Sequence, residues 1–194
     1  MFSFFRRFHD GLFFLLRKTE GWLPGLSARF VFAAVLFMYF FNSAKTKVGE
    51  LPDGFFQIQD NAYFQIMPAV VERFNYDASQ VPLFPYKAIV YLGTYAEFVL
   101  PVLIILGLFT RLSSVGMIIF VLVQSFVDIS AHAVDAETTG AFFDRASDSA
   151  ILDQRALWVF LLLYLAVYGA GKLSIDYLFG FKRPIRVSSR PYHD

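Results

Sequence analysis

Polar and ionisable side chains interrupt two apolar stretches of this sequence. Glu97 lies within the stretch 88–109, whereas Gln124, Asp128 and His132 recur at every fourth position of the stretch 112–133. A spacing of four residues places side chains on one face of an α-helix. A carboxyl group inside a membrane-spanning helix costs roughly 2.5–3.5 kcal/mol on insertion scales, so it faces a bundle interior and marks a candidate functional site. We therefore predict a polar site shared by two neighbouring helices.

The expected depths of these residues define a funnel. With a rise of about 1.5 Å per residue, Glu97 and Gln124 fall at the same depth, and Asp128 lies nearer the helix end. Asn42 and Lys45 lie at the end of a third apolar stretch, 26–44, with Lys45 just beyond its last residue. The predicted funnel has Glu97 and Gln124 at its floor, and its mouth is formed by four residues: Lys45, Asn42, His132 and Asp128.

The funnel has two interpretations. It could bind a polar headgroup, a quinone or a proton, with Glu97 or Asp128 exchanging protons. It could equally be a set of interhelical hydrogen bonds that fixes helix packing. We predict no metal site, because His132, Asp128 and Glu97 lack a diagnostic ligand spacing.

The composition excludes several classes of protein. Of the 194 residues, 57% are hydrophobic and 17% are charged, against about a quarter charged in an ordinary soluble domain. There is no cysteine, which excludes disulfides, thiolate nucleophiles and thiol exchange by the chain itself. The net charge of +1 gives no indication of a nucleic-acid partner.

The apolar residues concentrate in four runs, each long enough to cross a bilayer as a helix. The predicted spans are 26–44, 88–109, 112–133 and 156–173. The fold class is therefore an all-α integral membrane protein, a four-helix bundle in contact with lipid. Two loops, 45–87 and 134–155, connect spans on the same side and hold six Lys or Arg against ten Asp or Glu. Since positive charge favours the cytoplasm, both termini are expected there and these loops outside.

Three further segments flank the spans. Residues 1–25 mix basic residues with Phe and Leu, which is typical of an amphipathic helix lying in the membrane interface. The loop 45–87 has apolar residues at helical spacing and predicts a helix over the bundle mouth. Residues 181–194 form a basic cytoplasmic tail.

A charged cluster is expected at the cytoplasmic helix ends. Arg29 and Arg111 fall at the ends of adjoining spans, and Lys172 and Asp176 follow the fourth. An Arg–Asp pair there would tie the helix ends together, with a structural role.

Two motifs resemble the DoxX family. The turn LGLFTR at 106–111 resembles the family's "LGLxTR" turn, and GAGKLSID at 169–176 is similar to its closing "GxGxxSxD" motif. The step NSAK at 42–45 and the position of Glu97 also fit. The resemblance spans about 26–180 and implies a small four-helix protein of the bacterial inner membrane.

The resemblance also implies a function. Members are linked to membrane redox and oxidative-stress complexes, and the family name comes from a subunit associated with thiosulfate:quinone oxidoreduction. We therefore expect an accessory or quinone-interacting subunit with a protein partner and no enzyme activity alone, and quinone is the candidate cofactor. The alternative is a non-catalytic assembly, cargo or transport accessory factor that acts through its outer loop. A second copy of the chain, in a homo-oligomer, is a further candidate partner.

Overall fold

Four long apolar helices dominate the computed structural model, which describes residues 2–181. The N-terminal helix Phe2–Thr19 precedes the first span, Leu23–Lys45, and the other spans are Leu83–Leu106, Thr110–Ser130 and Ala150–Tyr168. Among residues 2–181 there is no strand, only one isolated bridge between Val48 and Ile58. The prediction of an all-α, four-span bundle is confirmed.

Shorter helices lie at the two ends of the bundle. We call the end joined by residues 46–82 and 131–149 the loop face, and the opposite end, with the turn 107–109, the terminal face. The loop face has four short helices: Asp60–Ile66, Pro68–Arg73, the 3₁₀ turn Ala78–Gln80 and Ala136–Thr139. The terminal face has the N-terminal helix and the C-terminal helix Ile175–Leu178. The predicted tail falls largely on residues 182–194, outside the described residues.

A tightly packed interior joins all four spans. It is built from large side chains that are almost fully buried: Phe32, Leu36, Phe40, Ile104, Met117, Val121, Leu162 and Leu165. Only 22–33% of the apolar stretch of each span is buried within the protein. The outward-facing positions include exposed Phe30, Leu92, Leu112, Phe126 and Phe160. So much exposed apolar surface is unfavourable in water and suits a lipid environment, so the chain is a multi-pass membrane protein.

The loop between the first two spans is itself a packed layer. Ala62, Tyr63 and Val71 of its two helices bury against Val90 of the second span. Burial raises the pKa of the Tyr63 hydroxyl, and the nearby Tyr91 and Asp60 add to the effect. The predicted helix over the bundle mouth is thus two short helices, fixed to the second span.

The third and fourth spans differ from their predicted bounds for local reasons. The third span begins at Thr110 and not near 112, because a distant carboxylate caps its first amides. The fourth span begins earlier than 156, with a π-helical turn Ala150–Gln154, and ends at Tyr168 and not near 173. It ends there because Gly169 has φ +75°, a left-handed conformation that stops the helix.

Candidate functional site

A buried ion pair stands between the first two spans. Lys47 Nζ donates to Glu97 Oε2 at 2.9 Å, and the two side chains are only 3% and 5% exposed. Lys47 Nζ also donates to the backbone oxygen of Ser43 at 3.1 Å and to its Oγ at 2.8 Å. These three bonds use all three donors of an ammonium group. The ammonium group is therefore fully bonded, and the protein shields the pair from solvent.

The end of the first span explains how Lys47 reaches this position. The helix ends at Lys45, and the amides of Thr46 and Lys47 then bond to the oxygens of Ser43 and Ala44 in a tight turn. A cation near a helix C-terminus is favoured by the unpaired carbonyl groups there. Glu97 is the middle residue of the regular helix Ala88–Leu106. The turn therefore directs Lys47 back into the bundle, toward Glu97.

The predicted mouth of the funnel needs correction. Lys45 is exposed, and its Nζ lies 6.0 Å from the centroid of the Phe41 ring. Asn42 is also exposed, and neither residue lines the cavity described below. The cation that joins the site is Lys47, because the turn after the helix reverses the direction of the side chain. The sequence feature that could have predicted this pair is a lysine, Lys47, just beyond the end of one span, together with a carboxyl group, Glu97, inside the next span.

The ion pair lies in the wall of a cavity of about 410 Å³ near the loop face. The structure brings four of the predicted residues to this cavity: Glu97, Gln124, Asp128 and His132. Most of the remaining lining is apolar and comes from the second and third spans: Ile89, Leu92, Gly93, Ala96, Gly116, Ile119, Phe120, Val123 and Val127. Ser43 of the first span and Gln65 and Ile66 of the loop layer complete it. Its volume lies in the range of roughly 300–1,000 Å³ that is usual for small-molecule sites.

Gln124 and His132 make different contacts. Gln124 Nε2 donates to the hydroxyl of Tyr39 at 2.9 Å, whereas its Oε1 is buried without a hydrogen-bond partner among residues 2–181. His132 Nε2 donates to the backbone oxygen of Gln65 at 3.1 Å, which tethers the third span to the loop layer. Buried polar atoms are normally bonded, so the orphan oxygen of Gln124 is a feature that a ligand donor would satisfy.

Asp128 has its own partner on the fourth span. Arg155 donates from one terminal nitrogen to Asp128 Oδ2 at 2.6 Å and from the other to Ser125 Oγ at 3.1 Å. Arg155 is buried, whereas the Asp128 side chain is 24% exposed. Arg155 falls within the segment 134–155, which the sequence predicts to be a loop, so this link between the third and fourth spans was not predicted.

The charged cluster predicted at the helix ends forms at the terminal face, but its side chains have other partners than predicted. The Asp176 carboxylate accepts from the backbone N–H of Phe109 at 2.6 Å and of Thr110 at 2.9 Å. Arg29 donates to the backbone oxygen of Ile105 at 2.8 Å and to that of Leu173. The expected direct Arg–Asp pair is wrong, because both side chains bind backbone groups instead: Asp176 binds amides at the start of the third span, and Arg29 binds oxygens at the end of the second span and in the segment after the fourth. Arg111 and Lys172 line a second cavity.

Replacing Asp176 with alanine should lower the free energy of unfolding by about 1–2 kcal/mol, because two amides at the start of the third span lose their acceptor. Equilibrium unfolding in mixed detergent micelles measures this change. Asp10→Ala is the control, since Asp10 is an exposed residue of the N-terminal helix and should change stability by less than about 0.5 kcal/mol. Equal effects of the two substitutions would contradict the capping role.

Four membrane-spanning helices, with paired charges in an apolar cavity near one face, define a small polytopic membrane protein that has an intramembrane polar site. The sequence model of the DoxX family matches residues 24–128, which is more than half of the chain, and the protein belongs to the DoxX family. No curated protein and no solved structure matches the chain.

The matched region includes most of the candidate site. Lys47, Glu97, Gln124 and Asp128 lie within residues 24–128, as does the turn 106–111. His132, Arg155 and the closing segment 169–176 lie beyond it. The family resemblance inferred from the sequence is confirmed.

Proposed function

We propose that this protein is a quinone-interacting accessory subunit of a membrane redox system. The observation that carries the proposal is the Lys47–Glu97 ion pair in the wall of a 410 Å³ apolar cavity, with Glu97 at the middle of the helix Ala88–Leu106. Ionisable residues inside a membrane are expensive and are commonly retained for function.

The residues of the cavity suit the chemistry of a quinone. The apolar side chains offer contacts for a ring, and exposed Ile89, Leu92, Ile119 and Val123 leave the rim open to lipid for a hydrocarbon tail. The orphan Oε1 of Gln124 can accept from a hydroxyl group, and its Nε2 has a second N–H to donate to a carbonyl group. When bound, a quinone supplies two-electron redox chemistry, and the electrons would come from a protein partner.

The buried charges have a defined task in this proposal. The Glu97 carboxylate can hold a proton inside the span, and Lys47 balances its charge when the proton leaves. Asp128 lies closer to the loop face and is partly exposed, so it offers an exchange point between the cavity and water. This chain would therefore bind and orient the quinone and exchange protons with it. It would not catalyse electron transfer alone.

The proposal includes a location. Arg17, Lys18, Arg29 and Arg111 lie at the terminal face, whereas the loop face has an excess of carboxylates. Under the positive-inside rule this distribution assigns the terminal face to the cytoplasm of a bacterial inner membrane. The cavity then opens near the outer side of that membrane.

Quinone binding is the direct test. Purified protein in lipid nanodiscs should bind a short-tailed ubiquinone, and Gln124→Leu should weaken binding by at least about tenfold, equivalent to about 1.4 kcal/mol. The substitution keeps the side-chain size but removes both hydrogen-bonding groups. Ser130→Ala is the control, because Ser130 lies on the same helix, donates from its hydroxyl to the backbone oxygen of Phe126 and does not line the cavity.

Two results would contradict this proposal. The first is a wild-type protein that binds the quinone no better than protein-free nanodiscs. The second is Gln124→Leu with the affinity of the wild type.

A second function has its own supporting observation. Phe56, Tyr76 and Phe143 are exposed aromatic side chains in the loops of the loop face, where they could contact a client or partner protein. An assembly factor of this kind would still bind its client in the Gln124→Leu variant. It would lose the client in the triple variant Phe56→Ser/Tyr76→Ser/Phe143→Ser. Proteomics and quinone analysis of the same native-membrane purification distinguish the two functions.

A further inference from the structure

A second cavity, of about 620 Å³, opens at the terminal face, at the opposite end of the bundle from the site discussed above. We propose that it binds the phosphate-bearing headgroup of an anionic phospholipid. The proposal is independent of quinone binding, because none of the residues that line this cavity lines the other one.

The charge of this cavity favours an anion. Four cationic side chains line it, together with two carboxylates: Arg17, Lys18, Arg111 and Lys172, and Glu20 and Asp176. Both oxygens of the Asp176 carboxylate already accept from backbone amides, so this carboxylate is committed to the helix end. Guanidinium groups bind phosphate oxygens through paired hydrogen bonds, and ammonium groups add a point charge. The excess of cations therefore fits a phosphate group.

Three separate chain segments hold these cations together. The Lys172 amide donates to the backbone oxygen of Gly21 at 2.9 Å, which fastens the residues just before the first span to those just after the fourth. Gly25 lies so close to Ala170 that a Cβ on Gly25 would come within 2.5 Å of the Ala170 oxygen. Arg17 and Lys18 come from the N-terminal helix just before this contact, and Arg111 comes from the first turn of the third span. These backbone contacts hold the segments that carry the cations next to one another, around one cavity.

The surroundings of the cavity indicate a lipid and not a soluble anion. Its lining includes exposed apolar and aromatic side chains beside the charges: Phe109, Leu112, Tyr168, Tyr177 and Phe181. The neighbouring N-terminal helix exposes Phe13, Phe14, Leu15 and Leu16, as a helix in the membrane interface does. A headgroup between the cations with acyl chains along this apolar surface satisfies both features. Basic pockets at the ends of membrane helices recognise anionic headgroups in this way.

Native mass spectrometry of the full chain, extracted from vesicles of phosphatidylcholine and phosphatidylglycerol, tests the proposal. The wild type should retain phosphatidylglycerol in preference to phosphatidylcholine. Arg111→Gln/Lys172→Gln should reduce that retention by at least tenfold. The control is Arg73→Gln/Lys45→Gln, which removes the same two residue types from exposed positions at the loop face and should retain the lipid as the wild type does.

Thermal unfolding is measured on the same samples. A variant that keeps the melting temperature of the wild type, but loses phosphatidylglycerol, supports the site. Equal retention of the two lipids by the wild type, or full retention by Arg111→Gln/Lys172→Gln, would overturn it. Inorganic phosphate is the competing probe: complete displacement of the lipid at millimolar phosphate would assign the site to a soluble phosphate group instead.

Discussion

Lys47→Met should destabilise the protein by about 3–5 kcal/mol, the largest effect expected of any single side chain in the candidate site. The substitution keeps most of the apolar stem but removes the ammonium group 2.9 Å from Glu97. Breaking a buried ion pair by removing one partner leaves an uncompensated charge in an apolar environment. Two bonds to Ser43 are lost at the same time. Equilibrium unfolding in mixed detergent micelles gives the change in free energy.

Lys45→Met provides the matched control. It makes the same chemical change two residues away, at an exposed position, and should cost less than about 0.5 kcal/mol. The double variant Lys47→Met/Glu97→Gln removes both charges and should recover much of the lost stability, because neutral replacement of a buried pair is often tolerated. Equal losses for Lys47→Met and Lys45→Met, or no recovery in the double variant, would show that Lys47 does not balance Glu97.

Gly25→Ala should also be strongly destabilising, by about 3 kcal/mol, because one added methyl group meets backbone on the opposite side of the contact. A Cβ at this position would lie 2.5 Å from the Ala170 oxygen and 2.9 Å from the Gly171 nitrogen. Backbone cannot rotate away as a flexible side chain does, so the first and fourth spans must separate. The lower stability should appear as a lower melting temperature in detergent. The variant should also retain less phosphatidylglycerol at the cavity of the terminal face.

Gly11→Ala is the corresponding control within the N-terminal helix. A Cβ there has no atom within 4 Å, and alanine favours a helix over glycine by roughly 0.5–1 kcal/mol. This variant should therefore be neutral or slightly more stable. A Gly25→Ala protein with unchanged stability would refute the close contact between the first span and residues 170–171.

The sequence specifies the spans well because bilayer thickness and helical rise leave little choice for a long apolar run. The helical spacing of Gln124, Asp128 and His132 was sufficient to predict that they share a face, and Glu97 lies with them around one cavity. Their functional role remains a prediction.

The partners of these residues were not predictable in the same way. Lys47 reaches Glu97 through a turn of two residues after the first span, and Arg155 reaches Asp128 from a segment that has the composition of a loop. Helical periodicity does not specify the direction of a side chain beyond a helix end. The Asp176 contacts depend on which helix ends lie side by side, which is a property of the assembled bundle.

The Asp176 cap also has a consequence for the order of assembly. The carboxylate that completes the start of the third span lies 66 residues further along the chain than Thr110, beyond the whole fourth span. During synthesis the third span therefore enters the membrane with the amides of Phe109 and Thr110 still lacking this acceptor. Only after residue 176 has left the ribosome can the Asp176 carboxylate bind these amides, so the helical turn Ile175–Leu178 completes the start of the third span late in synthesis.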